Sequence, residues 1–197
     1  LIAMAFGVHS AAQAQGDEQV LTAGPIHEAF ADVTAQARVP EAIVKKSPPE
    51  PIEELPPDQK PEGDDVTWIS GYWAWDDDRD DYLWVSGVWR NLPPNRQWVP
   101  GYWSTVSGGF QFVPGYWEDI ARKEVEYLPQ PPKPIEAGPS SPRPAPNNEW
   151  APGSWVWVNT YYAWQPGYWV VTQPNWVWTP SYYAWTPRGY VFVMGYW

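Results

Sequence analysis

Side chains equipped for chemistry are few in this chain, and they cluster in one place. Asp76-Asp77-Asp78-Arg79-Asp80-Asp81 sets five carboxylates within six residues. Such a run offers hard oxygen ligands to calcium, with Asp76, Asp78, Asp80 and Asp81 as the candidate ligands. It lacks the spacing, the glycine and the closing glutamate of an EF-hand loop, so a solvated hairpin tip is the competing expectation. The two histidines, His9 and His27, lie far upstream of the aromatic part of the chain. No G-x-S-x-G turn, phosphate-cradling loop or histidine metal motif occurs. A carboxylate pair for glycoside hydrolysis would have to come from 76–81 or from Glu118 and Asp119. Cysteine is absent, which excludes a disulfide framework, a thiolate metal site and a cysteine-linked lipid anchor. The residue types predict no catalytic residue, no cofactor and no enzyme.

Aromatic rings are the abundant resource. All 17 tryptophans lie between Trp68 and Trp197, and most fall in one hexapeptide: an aromatic, two residues, a small residue, one residue, an aromatic. The copies are Trp68-Gly71-Trp73, Trp84-Gly87-Trp89, Trp98-Gly101-Trp103, Phe112-Gly115-Trp117, Trp150-Gly153-Trp155, Trp164-Gly167-Trp169 and Phe192-Gly195-Trp197, with a worn copy from Trp178 to Tyr183 in which Ser181 replaces glycine. The small residues recur every 14 residues, apart from one gap of 16 and one of 38, which marks a repeat architecture.

The spacing also predicts the local structure. Numbered from the small residue as zero, aromatics fall at −5, −3, +2 and often +4. The positions −5 and −3 share parity, as do +2 and +4, so each pair lies on one face of a strand of period two. A loop centred on the glycine would set −3 opposite +2 of the same copy, with the two rings as cross-strand neighbours. The stretches between +4 and the next −5, such as 92–95, 106–109, 172–175 and 186–189, carry turn residues. A Pro-Gly pair prefers a type II turn, whereas tight hairpins prefer the primed types. That leaves two arrangements open: a meander of hairpins with longer loops, or a two-layer coil whose Pro-Gly arches pass the chain between sheets.

These copies resemble the bacterial family of exported proteins named for its W-x-x-G-x-W repeat. The closest matches are Trp68-Ile-Ser-Gly-Tyr-Trp73, Trp98-Val-Pro-Gly-Tyr-Trp103 and Trp164-Gln-Pro-Gly-Tyr-Trp169. The resemblance implies a location in the envelope or outside the cell and carries no catalytic residue with it.

The remaining composition sets boundaries and excludes partners. A net charge of −11 argues against nucleic acid. The start, Leu1 to Val8 followed by Ala12-Gln13-Ala14, predicts a signal peptide over 1–14; it lacks the usual positive beginning, so the leader is expected to start further upstream. Residues 15–65 are acidic and proline-rich and predict a disordered arm. Residues 66–119 form a first repeat block and 149–197 a second, which ends in mid-repeat and is expected to continue. Between them, 120–148 holds Lys123 to Tyr127, which alternates like an edge strand, and then eight prolines read as a linker. No apolar run is long enough for a membrane helix, and five-residue strands are too short for a membrane barrel.

The expected fold is therefore all-β: short antiparallel hairpin or meander repeats in two blocks, with a disordered Pro-rich arm and linker. The second block has no Leu or Ile, so Trp, Tyr, Phe and Val must supply its core. The tyrosines at +1, Tyr72, Tyr102, Tyr116, Tyr168 and Tyr196, point away from the tryptophans and form a candidate contact strip for a glycan or an envelope protein. Two roles follow: a structural or adhesive component of the cell envelope, or a polysaccharide-binding module using exposed Trp and Tyr.

Overall fold

The computed structural model describes residues 42–136 and 138–197. The expected signal peptide and the arm over 15–41 lie outside the described residues. Fourteen short strands account for the regular structure. In the first block they are β1 (Val66–Ile69), β2 (Tyr72–Asp76), β3 (Asp81–Val85), β4 (Val88–Asn91), β5 (Arg96–Val99), β6 (Tyr102–Val106), β7 (Gly109–Val113) and β8 (Tyr116–Asp119). The second holds β9 (Asn148–Ala151), β10 (Ser154–Val158), β11 (Tyr161–Gln165), β12 (Tyr168–Val171), β13 (Tyr182–Thr186) and β14 (Gly189–Val193). No helix occurs among the described residues, and none is long and apolar enough to cross a membrane.

All pairing is antiparallel, and all of it is between two strands. β2 pairs β3, and β1 pairs β4, so residues 66–91 form one long hairpin broken in the middle of both arms. β5–β8 and β9–β12 repeat this plan. The fourth hairpin has the β13–β14 ladder and, beyond the break, the single bridge Thr179↔Tyr196. Each bent hairpin thus consumes two copies of the hexapeptide.

This corrects the expected turn. The chain reverses at the +4/−5 loops, at 77–80, 107–108, 159–160 and 187–188, not at the glycine. Asp80, Asn159 and Gly108 supply the positive φ that those tips need, at 51°, 56° and 101°. The small residue at zero instead marks the break. In β5–β8 and β9–β12, Pro100, Pro114, Pro152 and Pro166 have no N–H to give a ladder. In β1–β4 the ladder is interrupted at Ser70-Gly71 and Ser86-Gly87 without proline. None of the hexapeptide glycines has positive φ, so no type II turn forms there. The arch between ladders, one of the two arrangements left open, is the one adopted.

The pairing of rings changes accordingly. Position −3 of each copy faces +2 of the other copy in the same hairpin: Trp68↔Trp89 and Trp73↔Trp84, then Trp98↔Trp117 and Trp103↔Phe112. Trp150↔Trp169, Trp155↔Trp164 and Tyr183↔Phe192 follow the same rule, and the Trp178 ring meets Trp197. The six Trp–Trp pairs are T-shaped, with centroids 5.0–5.5 Å apart and interplanar angles of 61–71°. Edge-to-face contact of this kind adds about 0.5–1.5 kcal/mol per pair to the burial of area.

The hairpins associate in two equivalent steps. Hairpin β1–β4 docks on the inner ladder of β5–β8: Trp103 Nε1 donates to the Trp73 carbonyl (2.8 Å), and Tyr82 meets the Trp103 ring at 5.1 Å. In the second half Tyr183 Oη donates to the Trp155 carbonyl (2.8 Å), and Tyr162 meets the Tyr183 ring at 5.7 Å. Tyr183 in the worn copy thus does the same job as Trp103. The halves join through the faces opposite the tryptophans, where Tyr116 and Val99 pack on Tyr182, Ala184, Val191, Val193 and Tyr196. Arg96 braces this seam, donating to the Met194 carbonyl (3.0 Å) with its guanidinium over the Tyr196 ring. The centre of the molecule is therefore Val and Tyr. Among the tryptophans only Trp117 is buried, Trp176 is exposed and the rest are half-buried, contrary to the expectation that indoles fill the core.

Candidate binding site along the tryptophan rows

On hairpins β1–β4 and β9–β12 the tryptophans form a row from which Trp73, Trp84, Trp89, Trp155 and Trp169 direct their N–H groups outward. An indole N–H is a donor with no acceptor of its own, and each needs a partner when half-buried. Proline-rich chain is the complementary material: an extended segment without internal hydrogen bonds leaves its carbonyls free. The structure joins the two. Residues 44–60, a strap in extended conformation, lie along the first row.

The strap is held from end to end. Val44 exchanges backbone hydrogen bonds with Phe110 in β7 (2.8 and 2.7 Å) and is itself buried. Tyr82 Oη donates to the Lys46 carbonyl (2.7 Å), Trp73 Nε1 to the Glu50 carbonyl (2.9 Å) and Trp89 Nε1 to the Pro57 carbonyl (3.3 Å). Lys60 closes it, with its ammonium 5.6 Å from the Trp89 ring centroid.

A second strap, of which 128–136 and 138–143 are described, repeats the arrangement on β9–β12. Leu128 exchanges backbone bonds with Tyr190 in β14, both 2.8 Å. Tyr162 Oη donates to the Pro129 carbonyl (2.6 Å), Trp155 Nε1 to the Lys133 carbonyl (2.9 Å) and Trp169 Nε1 to Ser141 Oγ (3.1 Å). Arg143 lies over Trp169 as Lys60 lies over Trp89. The expectation of a disordered arm and a free linker is thus corrected for 44–60 and for the described residues of 128–143. Low apolar content does rule out an independent core there, but the indole donors hold the segments in place. Lys123 to Tyr127 forms no strand; only Leu128 pairs.

Each strap places one carboxylate into the break of its hairpin. Glu54 accepts from Trp84 Nε1 and from the Gly87 N–H, both 2.7 Å. Burial pushes its carboxyl upward, but those two donors, with Ser86 and the Gly71 backbone, outweigh it and hold the group below the usual carboxylate range. Glu136 Oε2 accepts from the Gly153 and Gly167 N–H groups at 2.8 and 3.0 Å. The backbone donors freed by the interrupted ladder are what bind these carboxylates.

The glycines are required here by close approach. A Cβ on Gly87 would sit 2.4 Å from Trp68 Cζ2, one on Gly71 2.7 Å from Trp84 Cζ2, and one on Gly115 2.4 Å from Trp98 Cζ2. Each −3 indole therefore lies over the glycine of the partner copy. Gly153 and Trp164, Gly167 and Trp150, and Gly195 and Trp178 repeat the contact. The arrangement has a cost: Nε1 of Trp68, Trp150 and Trp178 is buried without a hydrogen-bond partner, about 1–3 kcal/mol each. Covering an indole face removes enough apolar area to outweigh it, at about 25 cal/mol per Å².

The sequence candidates divide as follows. Of the tyrosines at +1, Tyr102 and Tyr168 are exposed, but Tyr116 is buried in the seam, Tyr196 lies under Arg96 and Tyr72 stacks on Phe112 at 5.3 Å. They do not form a continuous strip, because the face opposite the tryptophans is where the halves pack. Asp76 Oδ1 accepts from the Asp78 and Arg79 backbone N–H groups (3.0 and 3.2 Å), Asp77 accepts from Trp75 Nε1 (3.0 Å), and Asp81 pairs with Lys46 at 2.6 Å. The acidic run thus organises a hairpin tip and anchors a strap, and no group of three or more metal-ligating side chains is assembled among the described residues. A cleft of about 180 Å³ at the root of the second strap, with Arg122, Glu124, Glu126 and Trp157 in its wall, falls below the usual volume of a small-molecule site, roughly 300 Å³ or more.

Glu54, Glu136 and the strap carbonyls escaped the sequence reading. A signal for the carbonyls existed: Pro-Pro-x-Pro-Ile-Glu occurs at 48–53 and again at 131–136, once before each block. It aligns Glu50 with Lys133, whose carbonyls accept from Trp73 and Trp155. Its closing glutamate is Glu136 in the second strap but Glu53, not Glu54, in the first.

A family model described as WXXGXW repeat (2 copies) matches residues 63–90, 98–118, 149–170 and 174–197. Each match coincides with one bent hairpin, which explains why two copies make the unit. No curated protein matches the sequence, and no solved structure matches it.

Proposed function

The chain belongs to the WXXGXW repeat family through residues 63–197, and from that premise we propose a non-catalytic, exported structural or adhesive protein of the bacterial envelope or cell surface. The observation that carries this reading is the occupancy of the tryptophan rows. The rings that would stack on sugars in a lectin are covered by the chain's own straps, and Trp73, Trp84 and Trp89 spend their N–H groups on strap acceptors. Such a surface serves cohesion. Export is supported by the apolar start of the chain with its small-x-small site.

Polysaccharide binding is the competing reading, and the exposed Tyr102 and Tyr168 are the side chains that favour it. Titrating the protein with cell-wall and algal polysaccharides while following tryptophan fluorescence separates the two. The structural reading expects no saturable change. A saturable shift that is lost on Tyr102→Ala or Tyr168→Ala establishes a glycan site instead. Calcium-dependent assembly through 76–81 is the weaker alternative; it requires that a chelator lower the melting temperature.

A further inference from the structure

We propose that the first strap is exchangeable: residues 44–60 of one chain seat on the β1–β4 row of a second copy, so that copies join through the contacts that close the monomer. This deepens the structural reading above and rests on it. Three observations support it.

First, the two straps differ in covalent attachment. The second is tied at both ends to folded strands, β8 before it and β9 after it. Among the described residues the first is tied only through 61–65, all of them exposed, with Gly63 at φ 136° as a joint. Second, the strap carries little apolar burial of its own. Val44 is buried, but Ile52 and Leu55 are 46% and 87% exposed, so departure sacrifices chiefly hydrogen bonds that an identical strap restores. Third, recognition runs through backbone groups, the Glu54 carboxylate and the two lysines Lys46 and Lys60, all of which a second copy presents in the same register. Exchange of an identical element is a low-cost route to association, opposed in dilute solution by the high effective concentration of the tethered strap.

Because the chain has no cysteine, single thiols report the exchange cleanly. Val44 and Phe110 form a mutually hydrogen-bonded antiparallel pair, a geometry with Cα atoms about 5.5 Å apart and within disulfide reach. Chains carrying V44C alone and F110C alone are mixed, concentrated, partly unfolded, refolded together and oxidised. The expected result is a disulfide-linked dimer in the mixture, rising with protein concentration, at a level several-fold above either variant alone. The chain carrying both substitutions is the control and closes an intrachain bond when dilute. A mixture that stays monomeric while the double variant closes overturns exchange and leaves the structural reading intact. A double variant that also fails to close overturns the strap register itself, and exchange with it. A glycan-dependent fluorescence shift would instead sink the structural reading, whatever the thiols do.

Discussion

Hairpins β1–β4 and β5–β8 share a plan down to the paired breaks, yet one carries a strap along its row and the other carries a neighbouring hairpin. The difference sits at one position, −3 of the second copy. In β1–β4 it is Trp84, whose N–H reaches Glu54. In β5–β8 it is Phe112, which has no donor and lies under the Tyr72 ring at 5.3 Å. The second half has the same residue types, Trp164 on the strapped hairpin and Phe192 on the other, but there the strap carboxylate Glu136 takes its hydrogen bonds from the Gly153 and Gly167 N–H groups and not from the indole. A ring with a donor attracts an acceptor-rich strap; a ring without one suits a dry contact between hairpins. In the first half one N–H thus distinguishes the strapped hairpin from its neighbour.

Glycine substitutions should give the largest effects on this contrast. Gly115→Ala drives a Cβ to within 2.4 Å of Trp98 Cζ2 and 2.7 Å of the Val99 carbonyl, and should lower stability by about 3 kcal/mol. Gly101→Ala meets Phe112 Cζ and two backbone atoms at 2.8 Å and should cost less, about 1–2 kcal/mol. Equal losses in thermal melts would show that the backbone, and not the indole, sets the glycine requirement.

Exchanging the two rings comes next. Phe112→Trp brings a bulkier ring and an unpartnered donor into a dry contact and should cost about 2 kcal/mol. Trp84→Phe removes one donor from Glu54 and should cost about 1 kcal/mol. If denaturant melts rank them the other way, the donor is not what distinguishes the hairpins.

Acid should release the first strap. The Glu54 carboxyl is held low, so its contribution is complete above the ordinary carboxylate pKa and is lost as pH falls below that range through the lowered value. Tryptophan emission should shift over that range, and Glu54→Gln should abolish the shift; a shift that survives would assign it to another group.

Alkaline pH tests the seam and the hairpin contacts. Burial, aided by Glu118, pushes the Tyr116 phenol up to about 12, and burial beside Tyr190 does the same for Tyr162. Tyr183 is pushed up further still, by burial and by Tyr162. Unfolded phenols ionise near pH 10 while these do not, so stability should fall as pH rises from about 10 to 12. A tyrosinate absorbance titration complete by about pH 10.5 in the folded protein would contradict that burial.

Much of the fold was legible. Strand parity, the small residue at zero and the turn chemistry of the tips predicted short antiparallel hairpins in two blocks. The direction of pairing was not legible, because Trp73 lies as close in sequence to Trp68 as geometry needs for either partner. Only the reach of Trp68 to Gly87, 19 residues on, decides between them. The straps were misread for a related reason. Residues 44–60 and 128–143 look disordered when judged by their own apolar content, and the acceptors that order them are backbone carbonyls, which carry no sequence signature. The repeated Pro-Pro-x-Pro-Ile-Glu and the alternation of Trp84, Phe112, Trp164 and Phe192 were visible, but their meaning depends on knowing which ring faces which segment.

By itself the sequence determined the local units: short period-two strands, turn residues at the tips, and rings on one face. Those follow from steric and hydrogen-bonding rules that act over a few residues. Only the tertiary structure decided that the tryptophan rows are covered, that Val and Tyr hold the centre, and that Glu54 and Glu136 fill the breaks. Each of these matches a donor or a surface to a partner distant in the chain, and which partner prevails depends on the folded whole.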